Sequence, residues 1–141
     1  PDETEALLFA AARADHALNK IRPAIERGVI VICDRYIDSS VAYQGIARGL
    51  GEKTIRDLSE WATEQLLPDL TIYLDVPAEA GEQRMDGVDR MEIQSREFHE
   101  AVHQAFRDIA ANSIRPNVVI DATAPKDDVA AAVRTAVEPY L

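Results

Sequence analysis

The stretch Val29-Ile30-Val31-Ile32-Cys33-Asp34-Arg35-Tyr36-Ile37-Asp38-Ser39-Ser40-Val41-Ala42-Tyr43-Gln44-Gly45 decides the fold. Its first five residues are apolar and mostly β-branched, the pattern of a short strand buried on both faces, as in a parallel sheet covered by helices. In open α/β sheets the ligand crevice lies at the carboxyl ends of the strands. That is where an aspartate, an arginine, two hydroxyls, a tyrosine and an amide follow one another. An arginine fork beside hydroxyls suits a phosphate, and an aromatic with an amide suits a sugar and a base. The chemistry of the stretch is that of a nucleotide site.

Upstream, residues 2–21 carry a helical pattern, with Leu7, Ala11, Ala14, Leu18 and Ile21 at spacings of three and four as the expected core stripe. Phe9 and Arg13 lie four apart on another face of the same helix. Pro23 restarts the helix and Gly28 ends it at a left-handed cap. Downstream, residues 52–67 read as a second amphipathic helix with Ile55, Leu58, Ala62 and Leu66 inward and Pro68 as its stop. Residues 70–76 are the second expected strand. A short helix over 78–85 and a charged, glycine-containing stretch over 85–90 come next. A long helix spans 90–112, with Phe98, Ala101, Val102, Ala105, Phe106 and Ile109 on its stripe. Residues 118–121 form the third strand and 126–137 the last helix. Helices alternating with short buried strands predict an α/β fold, a parallel sheet with helices on both faces. No repeat, low-complexity tract or linker divides the chain, so residues 1–141 are expected to form a single domain.

The chain has 15 Lys and Arg against 25 Asp and Glu, a net charge of −10. Such a balance speaks against a general nucleic-acid binder and requires any anionic ligand to be held by a few placed arginines. No apolar run approaches the ~18 residues of a membrane span, and no basic-then-apolar leader is present. The single cysteine, Cys33, leaves no pair for an internal disulfide, which points to a reducing, cytoplasmic setting. The sequence contains no G-x-x-x-x-G-K-[ST] phosphate loop: none of its six glycines is followed by Lys-Ser or Lys-Thr.

Four segments together resemble bacterial thymidylate (dTMP) kinases: Glu5-Ala6-Leu7-Leu8-Phe9-Ala10-Ala11-Ala12-Arg13-Ala14-Asp15-His16, the 34–45 stretch, Pro68-Asp69-Leu70-Thr71-Ile72-Tyr73-Leu74-Asp75-Val76 and Asp89-Arg90-Met91-Glu92. The likeness runs from Pro1 to Leu141 and enters that family's sequence after the phosphate loop. It implies a P-loop nucleoside monophosphate kinase-like fold lacking its N-terminal strand and loop. The implied activity is transfer of the γ-phosphate of ATP to dTMP with Mg²⁺, giving dTDP for dTTP synthesis, by a cytoplasmic homodimer. Carried over by position, Phe9 stacks on thymine and Arg13 meets its edge. Arg35 grips the acceptor phosphate as a catalytic group, Ser40 and Gln44 lie against the nucleoside, and Tyr43 packs on the sugar. A 2′-hydroxyl desolvated against that ring would be disfavoured, which accounts for a deoxyribose preference. Residues 84–90 match the lid over ATP, where Arg84 and Arg90 would stabilise charge on the transferring phosphoryl group. The resemblance names no residue here for ATP's phosphates or for the metal. Without a phosphate loop the chain reads mainly as the dTMP-binding half. The alternatives are a deoxynucleoside kinase, or a non-catalytic nucleotide-binding or dimerisation module.

His99-Glu100-Ala101-Val102-His103 is a literal H-E-x-x-H on a helix, the pattern of zinc proteases. A zinc site needs a third protein ligand, and the downstream sequence offers none at a suitable spacing. The segment is read instead as part of a core helix with polar shoulders. Cys33 is expected to be inert packing. A plain turn cap at Asp34, with Arg35 as its salt-bridge partner, is the competing reading, and the clustering of several polar groups at one strand end disfavours it.

Overall fold

A computed structural model of the chain describes residues 1–77 and 95–141. The expected helix at 78–85, the lid with Arg84 and Arg90, and the Asp89–Glu92 motif lie outside the described residues, as does the expected start of the long helix. The chain divides into two compact units, Pro1–Pro68 and Asp69–Leu141.

The first unit is helical. Helix α1 covers Asp2–His16 with Asp2, Glu3 and Glu5 in its first turn, where they complement the helix dipole. It runs into a π-type turn over Ala17–Ile21 and then α2, Arg22–Glu26, with Pro23 in its first turn as expected. Gly28 closes this helix at φ +76°, its N–H on Ile25 O at 2.8 Å and Val29 N–H on Ala24 O at 3.0 Å. Helix α3, Ile37–Ser40, passes into a π-helical stretch over Val41–Ala47, and α4 covers Glu52–Ala62. Helix α4 ends five residues earlier than its pattern suggested. Glu64 and Gln65 both take left-handed backbone (φ +50° and +57°), and a salt bridge from Arg22 to Glu64 at 2.6 Å ties that corner to α2.

Residues 29–33 overturn one expectation. The run joins no ladder, and Val29, Ile30 and Ile32 are exposed, Ile32 by 93%. A strand exists only by pairing its N–H and C=O groups with a neighbour, and the described residues of this unit contain no second strand. The apolar character of the run was legible, but not whether a partner would cover it.

Which faces of α1 and α4 are buried also differs from the pattern. In α1 and the turn after it, Ala6, Ala10, Ala17 and Ile21 are buried, whereas Leu7 and Ala11 are exposed and Ala14 and Leu18 half-buried. In α4, Ile55 and Ser59 are buried, and Thr63 follows at the same spacing just beyond the helix. Leu58 and Ala62, and Leu66 beyond the helix end, are only half-buried. The small and hydroxyl-bearing rows of the two helices face inward because they allow close approach and supply partners for an arginine. Leu7, Ala11, Leu18, Leu58, Trp61 and Ala62 instead line an open apolar cleft of about 400 Å³.

The second unit is a parallel α/β unit. Strands β1, Thr71–Asp75, and β2, Asn117–Asp121, pair in parallel with Thr71 opposite Asn117 and Asp75 opposite Asp121. Helix α5, Arg96–Asn112, makes the crossover that parallel strands require. Ser95 caps it by accepting the Phe98 N–H at 3.3 Å. Val102, Ala105, Ile109 and Ala110 are its buried row, so Ala110 takes the place expected of Ala101, which is exposed. The Tyr73 and Phe106 rings meet at 6.2 Å and fix the helix on β1. Helix α6, Lys126–Val137, has the bounds its pattern predicted.

Candidate functional site

The polar residues singled out in the first unit converge on residues 34–48. Arg35 sits at φ +60°, a left-handed backbone rare for a residue with a side chain. Its guanidinium lies 5.3 Å from the centroid of the Tyr43 ring, within cation–π range. Arg13 approaches the same segment from α1. One terminal nitrogen donates to Ser40 Oγ at 2.7 Å, the other reaches Ser59 Oγ at 3.4 Å, and the guanidinium carbon is 6.0 Å from the Tyr36 ring.

Among the described residues, the groups that receive these two guanidiniums are hydroxyls and rings, not carboxylates. Burial pulls the Arg13 pKa down from the ordinary guanidinium value, and arginine keeps its charge at neutral pH regardless. The chain carries a net charge of −10, yet neither guanidinium has a carboxylate partner among the described residues. The neighbouring groups hold them in place without neutralising them. Burial pushes the Tyr36 phenol above its usual range, and its O–H donates to Leu66 O at 2.9 Å. Burial, helped by the Asp34 charge, also raises the Cys33 thiol, so the sulfur stays protonated at neutral pH and is a weak nucleophile. Cys33 is half-buried, less enclosed than the strand reading required.

Phe9 is 40% exposed on α1, one turn from Arg13. Ser40 is buried and already engaged by Arg13. Gln44 is only 2% exposed, and its amide donates to Glu5 Oε1 at 2.8 Å. Three partners escaped the sequence reading: Tyr36, Ser59 and Glu5. Ser59 was obscured because Leu58 and Ala62 looked like the inward face. Glu5 carried a signal in its spacing, four residues before Phe9 and eight before Arg13.

In the second unit, His103 Nε2 lies 2.6 Å from Asp75 Oδ1, and His99 packs edge-on to Phe98 at 6.0 Å between ring centroids. The H-E-x-x-H helix thus spends one imidazole on a strand-end carboxylate. No cluster of three or more potential metal ligands occurs among the described residues. Asp121, at the end of β2, accepts from Thr123 N–H at 2.9 Å and Thr123 O–H at 2.6 Å.

These features define an α/β protein whose helical unit gathers two arginines, aromatic rings and hydroxyls around residues 34–48. The comparisons with known proteins narrow the class. The family model for thymidylate kinase matches residues 1–133. A thymidylate kinase of Clavibacter michiganensis subsp. michiganensis is 47% identical over 141 residues, which cover 97% of this chain and 67% of that protein. One of Thermomicrobium roseum is 49% identical over 135 residues, 93% of this chain and 64% of its own. One of Symbiobacterium thermophilum is 46% identical over 140 residues, 98% and 65% respectively. The chain belongs to the thymidylate kinase family, and its fold is that family's P-loop nucleoside monophosphate kinase-like α/β fold. It spans about two thirds of the length of the curated relatives it matches.

Proposed function

We propose that this chain binds dTMP in the phosphoryl-transfer reaction that converts it to dTDP at the expense of ATP. The observation that carries the reading is the pair Arg13 and Arg35, both free of carboxylate partners among the described residues and both brought to residues 36–43. Arg35 takes the acceptor phosphate, Arg13 and Phe9 take the thymine edge and face, and Tyr43 takes the sugar. Ser40 serves by fixing Arg13. Phosphoryl transfer is catalysed mainly by positioning and electrostatic stabilisation, and the role of these side chains is to hold the acceptor oxygen in place. ATP as donor and Mg²⁺ belong to this reading through the family. Arg84 and Arg90 are assigned to the lid by sequence position only.

The reading extends to the whole chain 1–141 as part of one kinase domain working in the cytoplasm; no helix of the described residues is long and apolar enough to cross a membrane. The apolar cleft of α1 and α4 is the proposed homodimer surface.

The test is Arg35→Ala in the full-length protein. Losing a charge-assisted, bidentate contact worth about 2–3 kcal/mol should raise the dTMP KM, lower kcat, or both, by a combined factor of about 100. Unchanged kinetics would remove Arg35 from the site. Offering thymidine in place of dTMP separates this reading from a deoxynucleoside kinase, which would accept the neutral nucleoside at least as well.

A further inference from the structure

Glu5, Phe9 and Arg13 recur at intervals of four along α1 and so form one row on its surface. Both ends of the row are tied to the same opposing segment. Arg13 bonds Ser40 at 2.7 Å. Glu5 accepts from the Gln44 amide at 2.8 Å through Oε1, and from Arg48 at 3.4 Å through Oε1 and 3.3 Å through Oε2. Arg48 also approaches Asp2 at 3.6 Å. The segment 40–48 therefore runs antiparallel to α1, with Phe9, 40% exposed, between the two ties. Tyr43 is the residue immediately before the anchored Gln44.

Gln44 is nearly fully enclosed, so its side chain has little surface left to lay against a ligand. Its donor end points at Glu5. A buried amide has one orientation that satisfies its network, and here a carboxylate selects it. We propose that Glu5 is a positioning residue for the nucleoside part of the acceptor site: through Gln44 and Arg48 it fixes the spacing between Phe9 on α1 and Tyr43 on the π-helical stretch. The proposal rests on the acceptor-site reading above and gives Gln44 an indirect role in it. Arg13 keeps its own tie to Ser40, so loss of Glu5 should loosen the grip on the nucleoside while leaving the phosphoryl-transfer step intact.

The experiment is steady-state kinetics of the full-length protein with dTMP and ATP varied separately. Glu5→Ala should raise the dTMP KM about tenfold, the scale of one lost hydrogen bond to a charged group, with kcat and the ATP KM within about twofold. Glu5→Gln keeps an acceptor oxygen for Gln44 and should recover most of that loss. If the alanine variant fails to fold, Glu5→Asp, which draws the carboxylate back by one methylene, should raise the dTMP KM in its place with kcat within about twofold, and a native KM would overturn the proposal. An unchanged dTMP KM in both variants, a parallel fall in kcat, or no recovery by glutamine would overturn the proposal. Arg13→Ala and Arg35→Ala are the reference: if they too bind dTMP normally, the acceptor-site reading itself fails. If only they lose dTMP, the failure is confined to Glu5.

Discussion

Arg35 holds a backbone conformation that costs an ordinary residue on the order of 1 kcal/mol or more. The surroundings that keep it there also bring its guanidinium over the Tyr43 ring. No glycine relieves the strain at this position, because glycine could not supply the cation. Arg13 shows the complementary economy: two hydroxyls and a ring orient it without spending its charge. In the second unit, Asp121 gives a residue-level test with a pH sign. Thr123, first by its hydroxyl and then by its N–H, stabilises the carboxylate and lowers its pKa in the folded chain. A depressed folded-state pKa favours the folded state above the unfolded pKa, and the contribution disappears as pH falls through the folded value. The window therefore lies below about pH 4, the ordinary aspartate range. An NMR titration of the Asp121 carboxyl should show its midpoint below that range. Thr123→Ala should move it back upward, and a midpoint that ignores the substitution would refute the assignment.

At the scale of elements, the two π-type stretches and Gly45 decide how closely the helices approach. Gly45 sits buried in the π-helical stretch over Val41–Ala47. A Cβ there would meet Glu52 Cα and Gly51 O, both backbone atoms, at 3.3 Å. Gly45→Ala gains up to about 1 kcal/mol of helix propensity. It loses about 1–3 kcal/mol by overpacking against atoms that cannot rotate away. The net expectation is destabilisation by about 1 kcal/mol, read as a lower midpoint in denaturant. A midpoint at or above the native one would mean that the start of α4 moves freely. The same element pair explains why amphipathic pattern misassigned the inward faces. The apolar rows Leu7–Ala11–Leu18 and Leu58–Trp61–Ala62 are genuine stripes, yet each is turned to the open cleft.

For the molecule as a whole, that cleft is the surface on which the proposed homodimer would form. Trp61, 76% exposed, stands at its edge. If two copies meet on it, Trp61→Asp should convert a dimer to a monomer in light scattering at micromolar concentration. Because the indole makes little contact within its own chain, stability of the isolated subunit should change by no more than about 0.5 kcal/mol. An unaltered dimer would place the interface elsewhere. The net charge of −10 acts at this scale too, as a repulsion that an anionic ligand of the proposed site would have to cross.

Local chemistry determined much of this protein. Gly28 ended its helix at a positive φ, Pro23 opened one, and the bounds of α6 followed from periodicity alone. The four segments 5–16, 34–45, 68–76 and 89–92 together pointed to the family, which the family model bears out. These signals reside in backbone torsion, in hydrophobic period and in a run of side-chain types, and each needs only neighbours along the chain. Tertiary structure decided the rest. Whether residues 29–33 become a strand depends on a partner supplying ladder hydrogen bonds. Burial of Ser59 and Thr63 in place of Leu58 and Ala62 depends on what lies opposite α4. Gln44 likewise turned out to be an anchored residue because Glu5, 39 positions away, lies within hydrogen-bond distance of its amide.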